Sequence, residues 1–441
     1  TGGPVGQVAL LLLLTSLLIE LKPWPANGWG LDVYETAPPA IASMISVGVS
    51  AGVFFALYKV LPLFSDFLTS IAVVGGLTFL LSNLMGLKQD NVKRLLGYSS
   101  IGQIGLLALA LALLHEYGQF DYLAVIVGGL FLNHLLAKAG LFWLAGMVQR
   151  ERIEDWSGVA GKPWLLLVFG ACLAALVGLP PFPGFWAKWG LVMELASDQL
   201  YGWIALVLIG SLLEAAYLFR WFGHALRDGD GEPVSVSPAQ LLPPAVAALL
   251  LALSGSYTAR FVGDIPLHLF LPVSAAAVLF LLDGLPGRIK SVLMIATVAG
   301  GGSWVVGDLE GLNRIFGMIL VAGGLLVTVA TFYRGDPRKG FHPLLAALLL
   351  SLATLLTAQT SLAFFFSWEI MTLSSYLLVT LGRDAVKPAL LYLLFSLGSA
   401  FLILTGFAVA FAATGSIALT SLGSVGDTAP WAFSLLALGF V

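Results

Sequence analysis

Charged residues are scarce in this sequence. Asp, Glu, Lys and Arg make up 10% of its 441 residues, while hydrophobic residues make up 59%. A soluble globular protein carries roughly a quarter charged residues. The chain therefore lacks the polar surface that a water-soluble fold requires, and we predict a polytopic membrane protein that is surrounded by the lipid bilayer.

The sequence also contains only one cysteine and no excess of basic over acidic residues. A single cysteine, Cys172, cannot form a disulfide within the chain and cannot hold an iron–sulfur cluster or a thiolate zinc site. The net charge of -3 leaves no basic surface for nucleic acid. The sequence also lacks the strand–turn–helix glycine fingerprint of a dinucleotide site. We therefore predict no cofactor, no metal and no nucleic-acid partner.

Long apolar runs dominate the chain instead. A spanning helix needs about 20 mostly apolar residues, and about 14 runs qualify, with a last, partial run that starts near residue 430. They cover residues 5–20, 40–61, 68–86, 95–114, 121–148, 163–196 with a break near 180, 202–223, 238–256, 267–283, 289–306, 314–333, 341–358, 361–381 and 387–412. The predicted fold class is all-α, a membrane helix bundle with broken helices.

Some charged residues lie deep inside predicted spans. A charge at the centre of a spanning helix costs roughly 2.5–3.5 kcal/mol, so each one needs a partner, water or a function. Glu369 is the only charged residue of the run 361–381, and Lys188 follows the proline- and glycine-rich break at residues 178–184. Both are candidates for proton transfer. The alternatives are a structural hydrogen bond for Glu369 and an interfacial anchor for Lys188.

Three further titratable residues are candidates. His134 and Lys138 stand four apart and so share one helix face, which suits a proton relay, although a membrane histidine also serves as a helix-to-helix hydrogen bond. Glu20 ends an apolar run, where it is either a proton carrier or an interfacial residue. Three other acids lie nearer to helix ends and are interpreted as flanking residues: Glu194, Glu214 and Asp283.

Four motifs resemble the antiporter-like membrane subunits of respiratory complex I, Mrp cation/proton antiporters and membrane-bound hydrogenases. Residues 88–101 (KQDNVKRLLGYSSI) resemble the start of the family's tenth helix. Residues 134–146 (HLLAKAGLFWLAG) resemble its eleventh helix, and residues 178–189 (GLPPFPGFWAKW) its broken twelfth helix. Residues 366–377 (FSWEIMTLSSYL) resemble its fifth helix, which carries the family's glutamate.

The order of these motifs is unexpected, because the fifth-helix motif follows the twelfth-helix motif. The chain therefore resembles parts of two modules in tandem. Residues 1–258 resemble helices seven to fourteen of one module, and residues 259–441 resemble helices one to six and the start of the seventh helix of the next. The sequence starts at Thr1 without an initiator methionine, and we expect it to be a window of a longer polypeptide.

The resemblance implies roles for individual residues. Glu369 matches the fifth-helix glutamate, whose partner in the family, a seventh-helix lysine, would lie beyond Val441. Lys188 matches the twelfth-helix lysine or glutamate of the proton exit route. His134 and Lys138 match the relay between the family's channels.

The first module departs from the family pattern at two positions. Glu20 occupies the position of the seventh-helix lysine, and Ala51 occupies that of the eighth-helix lysine or histidine. An acid in place of a base reverses the local field, and an alanine removes a titratable site. Lys22 and Lys59 are possible substitutes for the missing amines.

The function that the resemblance implies is that of a proton-translocating membrane subunit of an NADH:quinone oxidoreductase-like complex in a prokaryotic plasma membrane. Its partners would be other membrane subunits of the complex and peripheral redox subunits, which would hold any dehydrogenase activity. One alternative is an Mrp-type sodium/proton antiporter subunit, since a carboxylate such as Glu369 can serve either ion. Another is a non-conducting membrane scaffold, which Glu20 and Ala51 favour for the first module.

Overall fold

The structure is a computed structural model that describes residues 3–159, 161–227, 234–261, 263–307, 309–332 and 338–441. The chain divides into two compact units, unit 1 (Thr1–Ser256) and unit 2 (Tyr257–Val441). Within the described ranges, nine helices are long and apolar enough to cross a membrane, and five shorter apolar helices accompany them. The chain is an integral, multi-pass membrane protein, as its hydropathy predicts.

Unit 1 is built from helices α1 to α11. Their bounds are α1 Pro4–Glu20, α2 Gly28–Thr36, α3 Pro39–Met44, α4 Ser50–Val60, α5 Leu68–Gly86, α6 Val92–Glu116, α7 Leu123–Val148, α8 Pro163–Val177, α9 Pro183–Ser197, α10 Tyr201–Leu226 and α11 Pro238–Phe261. A π-helical turn, Ile45–Val49, joins α3 to α4. The helix α2 has nine residues and is too short to span, and hydropathy alone did not reveal it.

The broken helix lies where the prolines predict it. The helix α8 ends at Val177, and α9 begins at Pro183. Gly178 has a φ of 89°, a left-handed conformation that glycine adopts without steric cost. A Cβ at Gly178 would also stand 2.8 Å from Cδ of Lys188. The break therefore requires glycine both for its backbone and for the space beside this lysine.

Unit 2 continues with seven numbered helices. They are α12 Leu271–Leu281, α13 Gly287–Gly307, α14 Gly311–Phe332, α15 Phe341–Leu356, α16 Ser361–Thr380, α17 Val386–Thr414 and α18 Trp431–Phe440. All the predicted spans of this half coincide with apolar helices, and α18 is the predicted partial helix. In unit 1, the apolar segment Pro39–Gly86 contains two predicted spans in one helical stretch.

The helix α6 is the centre of unit 1. Every residue from Ser99 to Leu114 is buried, including the polar side chains of Ser99, Ser100 and Gln103. A helix that is buried on all sides has no lipid-facing surface, so these polar groups must find partners inside the protein. Their partners form the candidate functional site.

Close packing of α5 on α6 depends on two glycines. A Cβ on Gly105 would lie 2.6 Å from the carbonyl oxygen of Gly75 and 2.8 Å from the backbone nitrogen of Phe79. A Cβ on Gly75 would lie 2.7 Å from the carbonyl oxygen of Gly105. Small residues at such crossings let membrane helices approach each other closely.

Substitution of Gly105 by alanine should therefore lower the stability of unit 1. The added methyl group has to push two backbones apart, and overpacking of this kind costs roughly 1–3 kcal/mol. The matched control is Gly128→Ala in α7, where a Cβ meets nothing within 4 Å. We expect the apparent melting temperature in detergent to be lower for Gly105→Ala and unchanged for Gly128→Ala. Equal melting temperatures for both variants would contradict this account of the helix crossing.

Candidate functional site

A buried carboxylate on α10 is the centre of the site. Glu214 has no exposed surface. Ser99 donates a hydrogen bond to its Oε1 over 2.6 Å, and Gln103 donates one to its Oε2 over 2.5 Å. Both donors come from α6, one helical turn apart, so the buried face of α6 holds the carboxylate in a fixed orientation.

Two buried lysines share this carboxylate. Lys138 on α7 and Lys188 on α9 both interact electrostatically with Glu214. Among the described residues, no direct ion pair joins Glu214 to either amine, and its short contacts are those with Ser99 and Gln103. One carboxylate thus lies within electrostatic reach of two amines in an interior that penalises unbalanced charge.

Backbone carbonyls hold each ammonium group. Lys188 Nζ donates to the carbonyl oxygen of Val177 over 2.8 Å and to that of Leu176 over 3.4 Å. These carbonyls belong to the last turn of α8, which the break leaves without helical partners and where the helix dipole favours a cation. Gln103 also donates to the Leu176 carbonyl, so that carbonyl links the Lys188 amine to the Glu214 carboxylate.

The predicted pair on α7 is buried, as a relay requires. His134 and Lys138 are 1% and 0% exposed. Lys138 Nζ donates to the carbonyl oxygen of Leu96 over 3.3 Å, and His134 Nε2 lies 3.3 Å from that of Ser46. The second ring nitrogen of His134, Nδ1, is buried and has no hydrogen-bond partner in the part of the chain that the structure describes. The helix α7 therefore carries a buried amine that interacts with the central carboxylate and a buried imidazole one helical turn before it.

The remaining predicted site residue of unit 1 lies elsewhere. The side chain of Glu20 is exposed at the end of α1, and Ala51 is half-buried on α4. Lys22, two residues after Glu20, is 2% exposed. Unit 1 thus brings together His134, Lys138 and Lys188 and leaves the Glu20 carboxylate outside this group.

Unit 2 contains the other predicted carboxylate. Glu369 on α16 is 2% exposed, and its Oε2 has no hydrogen-bond partner among the described residues. The neighbouring indole nitrogen of Trp368 is likewise buried and unpartnered there. Two residues before Glu369, Ser367 hydrogen-bonds to Thr354 over 3.1 Å. A buried carboxyl group with an unsatisfied oxygen is costly, which is typical of sites with a function.

The interpretation of Glu214 as a flanking residue is wrong, because it lies in the middle of α10, whereas Glu194 and Asp283 do lie at the ends of their helices. Glu214 is fully buried, and Glu194 and Asp283 are each 9% exposed. Asp283 forms an ion pair with Lys290 over 3.4 Å and accepts a hydrogen bond from the backbone of Gly340. The sequence position of Glu214 indicates its burial, because it lies near the middle of the run 202–223, too far from either end for its side chain to reach water.

A family match accounts for most of unit 1. Residues 4–214 match the sequence model described as "NADH:quinone oxidoreductase/Mrp antiporter, TM". This part of the chain, just under half of its length, is similar to that family. The resemblance inferred from the motifs at 88–101, 134–146 and 178–189 is confirmed. The antiporter-like arrangement explains why a broken helix places a lysine inside a membrane bundle.

The curated relatives include subunits of NADH-quinone oxidoreductase. NADH-quinone oxidoreductase subunit N of Desulforudis audaxviator is 30% identical over 266 residues, which are 57% of this chain and 52% of the relative. The subunit N of Rubrobacter xylanophilus is 29% identical over 60% of this chain and 56% of the relative. The chain therefore spans about half the length of the curated relatives it matches.

Solved structures give the same fold. A chain of respiratory complex I from Thermus thermophilus is similar with a TM-score of 0.51 and 29% identity, over 60% of each chain. A chain of the membrane-bound sulfane sulfur reductase, an archaeal respiratory membrane complex, is similar with a TM-score of 0.50 and 30% identity, over 56% of this chain and 52% of its own. The Mrp complex from Dietzia is similar with a TM-score of 0.51 and 21% identity, over 57% of this chain and 56% of its own. At this identity the similarity shows the fold alone.

Proposed function

We propose that the chain is a proton-translocating membrane subunit of an NADH:quinone oxidoreductase-like complex. The observation that carries the proposal is the Glu214 carboxylate, buried within electrostatic reach of Lys138 and Lys188. A static scaffold gains little from two amines and one acid in its core, because such groups cost free energy that apolar side chains do not. A proton pathway needs sites of this kind at membrane depth.

The charge balance of the site gives the mechanism. One carboxylate neutralises one ammonium group, so the site is electrically balanced when only one of Lys138 and Lys188 carries a proton. A proton that leaves Lys138 for Lys188 keeps this balance, because Glu214 is within electrostatic reach of both amines. The carbonyls of Leu96 and Val177 stabilise each ammonium form in turn. Arrival of a second proton raises the energy of the site and drives release at the Lys188 end.

The rest of the assignment follows from the family. We propose that residues 1–258 and 259–441 are parts of two antiporter-like modules in tandem, with Glu369 as the proton-accepting carboxylate of the second. The partners are other membrane subunits of the same complex and peripheral redox subunits, as the complexes of the relatives suggest. The membrane is the plasma membrane of a prokaryote.

Transport in inverted membrane vesicles that contain the full-length complex tests this proposal. A pH-sensitive dye reports acidification after addition of NADH, with sodium present or absent. We expect NADH to acidify the vesicles to the same extent in both conditions, because the site contains amines that carry protons and cannot bind sodium. If NADH has no effect and an imposed sodium gradient moves protons, the chain is an Mrp-type antiporter subunit. If neither treatment moves protons, the scaffold interpretation replaces ours.

A further inference from the structure

A third buried lysine of unit 1 lies outside the group around Glu214. The Lys22 side chain is 2% exposed, and its Nζ donates to the carbonyl oxygen of Glu20 over 3.1 Å and to Ser50 Oγ over 3.4 Å. The rings of Trp29 and Tyr34 lie 5.3 Å and 6.0 Å from the same nitrogen. Two oxygens and two aromatic faces thus surround an amine that has no direct carboxylate partner among the described residues.

The backbone is shaped to bring this side chain inside. Lys22 has a φ of 60°, in the left-handed region that a residue with a Cβ rarely occupies. A Cβ on Gly30 would lie 2.5 Å from Cδ of Lys22, so the glycine provides the space for the lysine stem. Unusual backbone conformations of this kind concentrate at functional sites. The exposed Lys59, on α4, has no such contacts within the described ranges.

Hydroxyl groups lead from Lys22 towards the central site. Ser50 contacts the amine, and the buried Tyr34 side chain lies near the hydroxyls of Ser50 and Ser46. Ser46 Oγ is hydrogen-bonded to Ser100 Oγ over 2.6 Å, and the Ser46 carbonyl lies beside His134. The π-helical turn Ile45–Val49 presents Ser46 to this interior, and π-helical turns occur frequently at functional sites.

The last hydroxyl lies on the helix that binds Lys138. Ser100 is one helical turn after Leu96 on α6, so the two residues share a face. The Leu96 carbonyl accepts the hydrogen bond of Lys138 Nζ. The series of groups from Lys22 to Ser100 therefore ends one helical turn from the carbonyl that accepts the hydrogen bond of Lys138.

We propose that Lys22 is the proton-carrying amine on the intake side of unit 1, and that Ser50, Tyr34, Ser46 and Ser100 link it to Lys138. This inference rests on the proposed function. Each hydroxyl accepts a proton on its oxygen as it passes its own proton on, so Lys22 changes from ammonium to amine and Lys138 from amine to ammonium. Unit 1 thereby has an intake amine although Glu20 and Ala51 occupy the positions where the family has bases.

Three variants of the full-length complex test this assignment in the vesicle assay. Removal of a proton-transfer group lowers rates by about 10²-fold or more, and we expect a fall of at least about tenfold for Lys22→Met. Lys59→Met is the matched control and should transport at the wild-type rate. Lys188→Met tests the proposed function itself. If Lys188→Met loses transport and Lys22→Met keeps it, the inference about Lys22 is overturned and the proposed function stands. If both variants keep transport, the proposed function is contradicted, and the inference about Lys22 that rests on it is overturned as well.

A second substitution decides the case in which Lys22→Met does not assemble. Lys22→Arg retains the positive charge and the hydrogen-bond donors, but a guanidinium group does not release its proton in proteins. Loss of transport by an assembled Lys22→Arg complex supports a titrating role. Transport at the wild-type rate in that variant would show that Lys22 acts only through its charge, and it would overturn the proposal.

Discussion

Glutamine in place of Glu214 is expected to abolish proton transport by unit 1 without preventing assembly. Glutamine has nearly the same shape and its oxygen can still accept the hydrogen bond from Ser99. It carries no charge, so Lys138 and Lys188 lose the one carboxylate that both interact with. Neither amine can then hold a proton at low cost. We expect transport through unit 1 to fall by about 10²-fold, which lowers the initial rate of acidification per assembled complex.

Two comparisons separate transport from folding in this experiment. Glu151→Gln, at an exposed position in the loop between α7 and α8, removes the same charge from the surface and should leave the rate unchanged. Glu214→Leu also removes the hydrogen-bond acceptor and leaves buried polar and charged groups unpaired, which costs roughly 3–5 kcal/mol. We expect that variant to assemble poorly. A Glu214→Gln complex that transports at the wild-type rate would exclude the carboxylate from the pathway.

Glutamine in place of Glu369 should abolish transport by unit 2 while it preserves or raises stability. The carboxylate is buried, and its Oε2 has no hydrogen-bond partner among the described residues. A neutral amide of the same size is cheaper to bury than an unpaired carboxylate. It cannot gain or lose a proton, however, so a pathway through this position stops. We expect transport through unit 2 to fall by about 10²-fold and the apparent melting temperature to stay equal or increase.

The control for this variant is another acid of unit 2. Glu310 is exposed, at the start of α14, and Glu310→Gln should change neither transport nor melting temperature. A structural role for Glu369 predicts a different pair of results, with lower stability and transport that follows the amount of assembled complex. Wild-type transport by an assembled Glu369→Gln complex would favour a scaffold.

Hydropathy was sufficient to predict the fold class because the membrane imposes a length and a polarity on each helix. The break before Lys188 was also predictable, since prolines at 180, 181 and 183 cannot continue a helical hydrogen-bond ladder. The short helix α2 was not predictable in this way, because its nine residues are too few to leave a spanning signal.

The site was only partly predictable, for a related reason. His134 and Lys138 lie four apart on one helix, and this local spacing fixes their common face. The surroundings of Glu214 depend instead on Ser99 and Gln103, which are 115 and 111 residues away in the sequence. No local pattern reports such contacts.

The burial of the Lys22 side chain could not be predicted from the sequence. Counting along the family pattern puts Glu20 at the lysine position, yet the structure exposes Glu20 and buries Lys22. The difference comes from the left-handed φ at Lys22 and from the space beside Gly30. Both are properties of the folded backbone, and neither can be read from residue types alone.

The most direct test of the central claim is the number of protons moved per NADH oxidised, measured in the same vesicles for the wild-type and Glu214→Gln complexes. If protons pass through the site formed by Lys138, Glu214 and Lys188, this ratio falls in the variant even where electron transfer continues. An unchanged ratio, in a complex that assembles fully, would contradict the account and place the proton pathway outside unit 1.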